Sequence, residues 1–407
     1  MRPVKNLDAE YVLAGELDVN NRRVIIGLNL VGLALLFLFG WIFFQIASAI
    51  RPEIESPSIF SVRGGLEPLG LALGLIIVLI AHELVHGFFF WIFTGDRPKF
   101  GLHIFYAYAA APEWYLPRNY FLVVGLAPFV CLSLAGLLLL PIVPFEMVSE
   151  LVLSLIFNAA GSVGDFAVSG WLVSQPKTLM IHDIGPRMTF YRMSEPEVAG
   201  MSRRWLYLME SLAVDQEEAR RVFADLVSRY TEKGRYYHNL GHVKELLDTV
   251  DELEALATDF TTIRLAVWFH DAIYDPRAKD NEVKSAQYAR KTLQALGLSP
   301  EVVDRVSDLI LATITHQAPD GDINTQILLD ADLAPLGSPE TVFKQQSLAL
   351  RKEFAWLSEE EFQANRARLL TGFLERERIY RTDQLFKSLE SQARHNLAKA
   401  LNRTNNH

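Results

Sequence analysis

Two groups of residues in this 407-residue chain combine types and spacings that metal ions use. The first is His82-Glu83-Leu84-Val85-His86. On a helix, the HExxH pattern stacks two imidazoles one turn apart on one face. Both can ligate Zn2+ there, and the glutamate between them can serve as base toward water. The pentapeptide sits in a hydrophobic stretch long enough to cross a bilayer, where uncompensated ionisable side chains cost on the order of a few kcal/mol each. The second group is His242, the His270-Asp271 pair and Asp332, in a region without membrane character. His and Asp from separate helices can converge on one divalent ion, which activates water and clamps a phosphoryl oxygen as a phosphate-ester hydrolase requires. A lone HExxH or a lone His-Asp carries little weight, and Asp330 or Asp332 could be helix N-caps. The ordered series His, His-Asp, Asp is the more specific signal.

Elements must bring these residues together. Four apolar segments, about Val24–Ile50, Leu66–Phe93, Phe121–Val143 and Met147–Val173, reach the roughly 20 residues that a bilayer demands. Arg2, Lys5, Arg22 and Arg23 precede the first, and Arg97, Lys99 and Arg118 lie between the second and third. Arg51 and Arg63 lie between the first and second, and no Lys or Arg lies between the last two. This bias places both termini on the cytoplasmic side. The second and fourth spans then run in the same direction. At about 1.5 Å per residue His82, His86 and Asp165 fall at one depth, so Asp165 is the expected third zinc ligand. Its bland alternative is a helix-kink residue bonded to Ser162 or Asn158. Lys99–Tyr115 alternates aromatic and small residues; it reads as an edge strand, a re-entrant loop or an interfacial connection, with His103 incidental.

Beyond about Met193 the composition becomes that of soluble helices. The expected fold is all-α, a four-span membrane domain followed by an all-α soluble domain. The expected parts are a cytoplasmic tail at 1–23, a membrane domain at 24–192, a linker at 193–202 and a soluble domain at 203–407. A net charge of −9 and a pI near 5.6 argue against nucleic-acid binding, which needs a basic face. The single cysteine, Cys131, excludes disulfides and thiolate metal sites.

Residues 20–192 resemble a bacterial family of zincin membrane peptidases related in layout to site-2 intramembrane metalloproteases. HELVHG, Gly95-Asp96-Arg97-Pro98-Lys99-Phe100-Gly101, Leu126-Ala127-Pro128 and Asn158…Gly164-Asp165 carry the resemblance. It implies zinc on His82, His86 and Asp165, with Glu83 as general base. The fourth span lacks the Asn-Pro and Asp-Gly pairs of typical site-2 proteases. Residues 203–395 resemble the HD-domain superfamily of metal-dependent phosphohydrolases, through Tyr237-His238-Asn239-Leu240-Gly241-His242 and Phe269-His270-Asp271-Ala272-Ile273-Tyr274-Asp275-Pro276. That resemblance implies His242, His270, Asp271 and Asp332 as ligands to Mn2+, Mg2+, Co2+, Fe2+ or Zn2+. It implies His316 as an additional ligand.

Glu282 is the candidate water-orienting acid, its alternative being a salt bridge to Lys279 or Lys284. Arg235 and His238 are candidate phosphate contacts, and His238 has the alternative of standing behind the ligands. The Glu/Arg-rich tail after Phe354 reads as a solvated helix face.

The expected protein is a bifunctional, multi-pass hydrolase of the inner membrane. Its partners would be the lipid bilayer, a membrane-protein or peptide substrate and a nucleotide-like phosphate ester, with no nucleic acid. The alternatives are a protease gated by a ligand-sensing HD domain, or a phosphohydrolase anchored by an inactive membrane half.

Overall fold

A computed structural model describes residues 1–18, 21–54, 68–102, 107–319 and 321–404. Arg63, Leu66 and His103 lie outside them. The chain divides into two compact units, Met1–Ala199 and Gly200–His407.

In the first unit the long apolar runs form α1 (Arg22–Ile50), α2 (Pro68–Thr94) and α3 (Arg118–Leu139). Each is long and apolar enough to cross a membrane. The fourth expected segment is two helices, α4 (Val148–Gly161) and α5 (Val163–Val173), bent by 44° where a single span was expected. Ser162 sits at the break, and its hydroxyl donates to the Asn158 carbonyl at 2.9 Å. Such back-bonding by serine, next to a glycine, is a known cause of helix bending. Gly136 on α3 lets α4 approach closely, since a Cβ there would meet the Leu155 side chain at 2.4 Å.

The molecule is mostly helical, but the all-α expectation omits a sheet in this unit. β1 (Tyr11–Asp18), β4 (Tyr115–Pro117), β5 (Met180–Asp183) and β6 (Arg187–Met193) form an antiparallel sheet in the order β1-β6-β5-β4. The stretch expected as a cytoplasmic tail, 1–23, contributes a strand, Tyr11 pairing with Met193 and Asp18 with Arg187. A separate hairpin pairs β2 (Lys99–Leu102) with β3 (Ala107–Ala110), the strand alternative for that segment. These strands are three to eight residues long, too short for a periodic signal beside the spans.

The expected linker 193–202 is the end of β6 and the first turns of α6 (Pro196–Ser211). In the second unit the other helices are α7 (Gln216–Tyr230), α8 (Leu240–Glu252), α9 (Phe260–Phe269), α10 (Asn281–Ala295), α11 (Pro300–Ala312), α12 (Ile323–Leu333), α13 (Glu340–Glu353), α14 (Glu359–Leu374) and α15 (Asp383–Thr404). No strand occurs among its described residues. Side-chain caps start several helices: Asp215 for α7, Asn239 for α8, Asp259 for α9 and Asp322 for α12. Ser358 starts α14 with a full capping box, satisfying N–H groups that a first turn leaves orphaned. Trp205, Phe223, Trp268 and Phe269 are fully buried, with the Trp205 and Trp268 rings edge-to-face at 5.5 Å. That aromatic block anchors α9, the helix whose end carries His270-Asp271.

Candidate metal centres

His82 and His86 lie one turn apart on α2, and Asp165 lies in the first turn of α5. Their ligand atoms all fall within 4.8 Å of one another. The two imidazole Nε2 atoms are 3.2 Å apart. They face the carboxylate, His82 to Oδ2 at 3.3 Å and His86 to Oδ1 at 3.5 Å. Each ring's other nitrogen is committed: His82 Nδ1–H donates to Asn158 Oδ1 and His86 Nδ1–H to the Val124 carbonyl, both at 2.9 Å. This fixes the tautomer that leaves Nε2 with its lone pair, the usual outer support of a metal-bound histidine. Asn158 is itself held, its Nδ2 donating to the Pro128 carbonyl at 3.3 Å. Two imidazoles and one carboxylate with oriented rings fit a catalytic zinc site. Glu83 lies between the histidines, and the Ala109 N–H of β3 donates to its carboxylate. In the sequence Asn158 stands out only through the Asn158…Gly164-Asp165 resemblance and as an alternative partner of Asp165, and nothing in its local pattern marks it as the support of His82.

In the second unit Asn239 caps α8, its Oδ1 accepting from Gly241 N at 2.9 Å and His242 N at 3.3 Å. This sets His242 in the first turn. His270 ends α9, and its Nδ1–H donates to the Val267 carbonyl at 2.9 Å. His242 Nε2 and His270 Nε2 stand 3.4 and 3.9 Å from Asp332 Oδ1. Asp271 Oδ2 is 3.2 Å from His270 Nε2 and 4.0 Å from His242 Nε2. Both Nε2 atoms are buried without a hydrogen-bond partner, a costly condition unless something else takes their lone pairs. His242, His270 and Asp332 form a group able to hold a cation, and Asp271 borders it.

The charges are mutually matched. Burial alone would lower His270, but the adjacent Asp271 and, farther off, Asp332 outweigh it and lift the imidazole to about 9. Burial would likewise raise Asp332, yet His242, His316 and His270 hold its carboxyl well below the usual range. Asp271, beside His270 and His238, is also held low against its burial. Electrostatically this is a site arranged around ionised acids and buried imidazoles.

His316 Nε2 reaches the other Asp332 oxygen, Oδ2, at 2.8 Å. It does so from a left-handed backbone conformation, φ 49°, uncommon for a residue with a side chain. Arg376, from the stretch expected to be merely solvated, pins that turn by donating to the carbonyls of His316 at 2.9 Å and Thr315 at 3.2 Å. Asp330, two residues before Asp332, faces away. It accepts from Arg381 N at 2.8 Å, Thr382 N at 2.6 Å and the Thr382 hydroxyl at 2.7 Å. Neither acid is an N-cap.

None of the remaining candidates bonds to a ligand side chain among the described residues. Glu282, in the first turn of α10, makes no hydrogen bond or ion pair with the ligands among the described residues, and Lys284 pairs with Asp280 at 2.8 Å. Arg235 is buried and donates to the carbonyls of His238 at 3.1 Å, Asp271 at 2.7 Å and Ala272 at 3.0 Å. It fastens the His-Asp loop. Asn281 and Ser285 pin the same loop, bonding to Asp275 and Ile273. His238 donates Nδ1–H to Glu353 at 2.6 Å. Glu353 went unnoticed in the sequence because no local pattern links it to residues more than a hundred positions earlier.

Residues 75–180 match a family described as "Putative zincin peptidase", a stretch that contains His82, Glu83, His86, Asn158 and Asp165. No curated protein and no solved structure matches the chain.

Proposed function

We propose, with the zincin-peptidase match as premise, that the chain is a bifunctional membrane hydrolase. In this reading it joins a zinc intramembrane metallopeptidase to a metal-dependent phosphohydrolase of HD type, which acts on a nucleotide or another phosphate ester. The observation that carries the peptidase reading is the convergence of His82, His86 and Asp165 from two apolar helices with both Nδ1 atoms already spent. The phosphohydrolase reading is supported by the buried, partnerless Nε2 atoms of His242 and His270 facing Asp332. We place α1, α2, α3 and the α4–α5 pair across a bacterial inner membrane. The Lys/Arg bias puts the N-terminus and second unit in the cytoplasm.

At the first site, His82, His86 and Asp165 hold zinc, which supplies Lewis acidity toward a scissile carbonyl and water. Glu83 takes a proton from the attacking water and returns it to the leaving amine. Ala109 N–H steadies its carboxylate. β3 pairs only with β2 among the described residues, so its other edge suits an extended substrate backbone. At the second site His242, His270, Asp271 and Asp332 hold a divalent cation, Mn2+, Mg2+, Co2+, Fe2+ or Zn2+, which supplies charge to a phosphoryl oxygen. His316 steadies or extends that set through Asp332. Arg235 acts as a positioning residue for the Asp271 loop.

For the peptidase, Glu83→Gln in the full chain should retain zinc and abolish cleavage of a membrane-embedded peptide panel. A cleavage product that persists in that variant refutes the assignment. For the other site, the full chain with Mn2+ or Co2+ should hydrolyse members of a nucleotide panel, and Asp332→Asn should not.

A further inference from the structure

Glu353, at the end of α13, is a fully buried acid whose partners exceed what a structural anchor needs. Oε1 accepts the N–H groups of Tyr236 at 2.8 Å, Tyr237 at 2.7 Å and His238 at 2.9 Å. Those three bonds would suffice to hold the loop. Oε2 accepts two more, from the Tyr274 hydroxyl at 2.9 Å and His238 Nδ1 at 2.6 Å. A carboxylate with five donors stays ionised despite burial, and an ionised acid beside an imidazole favours its doubly protonated form.

The second pair of bonds fixes one ring. His238 lies over Tyr274, with centroids 4.3 Å apart, and edge-on to His242, with centroids 5.8 Å apart. With Nδ1 tied inward, Nε2 is the remaining nitrogen, and among the described residues it makes no hydrogen bond. Arg235, the guanidinium next to this loop, has its terminal nitrogens turned to backbone carbonyls. An anionic ligand held at the cluster by the cation also meets two negative acids, and His238 is placed to supply a donor against them.

We propose that Glu353 and His238 form an oxyanion-binding pair. Glu353 holds the imidazole so that its Nε2–H donates to an oxygen of a phosphate or phosphoryl group seated at the His242–His270–Asp271–Asp332 cluster. This rests on the reading of that cluster as a metal site with a phosphorylated ligand. Charge-assisted bonds of this kind are roughly twice as strong as neutral ones, and Glu353 acts through His238 without touching the ligand.

The test uses the full chain in detergent with Mn2+ and inorganic phosphate. Mn2+ affinity is followed by electron paramagnetic resonance and phosphate by calorimetry, with Asp332→Asn identifying the Mn2+ signal of this cluster. His238→Gln and Glu353→Gln should each leave Mn2+ affinity within about twofold while weakening phosphate by about tenfold. The double variant should be no weaker than either single one, because the pair acts as a unit.

Tyr274→Phe leaves the three backbone bonds intact and guards against a misfolded Glu353 variant. It should weaken phosphate by about threefold. Unchanged phosphate affinity in His238→Gln overturns the pair, as does weakening in His238→Gln without weakening in Glu353→Gln. Parallel loss of Mn2+ and phosphate in His238→Gln also overturns it, marking His238 as a ligand or the fold as damaged. Wild-type protein that takes up Mn2+ but no phosphate defeats the pair alone. Absence of Mn2+ at this cluster defeats the metal reading beneath it as well.

Discussion

At the scale of single residues, the two candidate centres share a device. Each ligand imidazole with an assigned partner spends Nδ1–H on an oxygen, Asn158 Oδ1, Val124 O or Val267 O. Support of this kind typically contributes about 10- to 100-fold to metal affinity. Asn158→Leu should therefore weaken zinc by about that factor in a chelator competition while the helices stay folded.

The neighbouring acids of α12 give a sharper contrast. Asp332→Asn should abolish metal uptake at the second site. Asp330→Asn should keep the metal and lower thermal stability by about 1–3 kcal/mol, because its bonds go to the Arg381–Thr382 backbone. Glu353 is held down to about 2 from an ordinary 4.5; burial opposes the shift, and His238 and the backbone N–H groups of Tyr237 and His238 produce it. Its charge contributes stability that is complete above the ordinary value and fades as pH falls through the folded one. The melting-temperature gap between wild type and Glu353→Gln should close as pH drops from about 5 toward 2; a gap independent of pH would contradict it.

The types and spacings of the candidate ligands are plain in the sequence because most sit in short strings. Asp165 was reachable only through membrane depth. Glu353, Arg376 and Asn158 were not legible, since their partners come from distant segments.

At the scale of elements, the hairpin beside Glu83 depends on glycine. The Tyr108 ring of β3 lies against Gly101 and Gly185, where an added Cβ would come within 2.3 and 2.2 Å of it. Gly185 also adopts φ +92° in the turn between β5 and β6, a conformation that side chains resist. Gly185→Ala should cost about 1–3 kcal/mol. It should also reduce peptidase turnover more than zinc content, because it shifts β3 and leaves the ligands on α2 and α5 in place. Equal losses of both would count against the hairpin's role.

The spans were predictable from long apolar runs; the start of α12 was not, since its cap is Asp322 and not Asp330 or Asp332. The sheet was not, because β4 and β5 are buried fragments whose pairing is decided by segments far apart in the chain. The break at Ser162 was legible only in the alternative that made Asp165 a kink residue; the bond at the break runs from Ser162 to the Asn158 carbonyl and does not involve Asp165.

At the scale of the molecule, the division into two units follows the composition shift near Met193, although the boundary falls within α6 and not in a loop. Two candidate metal centres, one in each unit, imply two independent stoichiometries. The full chain should bind two metal equivalents. His82→Ala should remove one, Asp332→Asn the other, and each variant should leave the remaining site's affinity unchanged within about twofold. A single equivalent lost in both variants would mean that the sites are not separate.

The register of β1 against β6, Tyr11 to Met193 through Asp18 to Arg187, bears on how the protein can be handled. Removal of the first eighteen residues would strip the covering strand from β6 and leave a row of bare amide and carbonyl groups. Such a row is an open template that another chain can complete. A shortened protein of this kind is expected to self-associate through that edge, and a bulky fusion placed at the amino terminus would crowd the same seam.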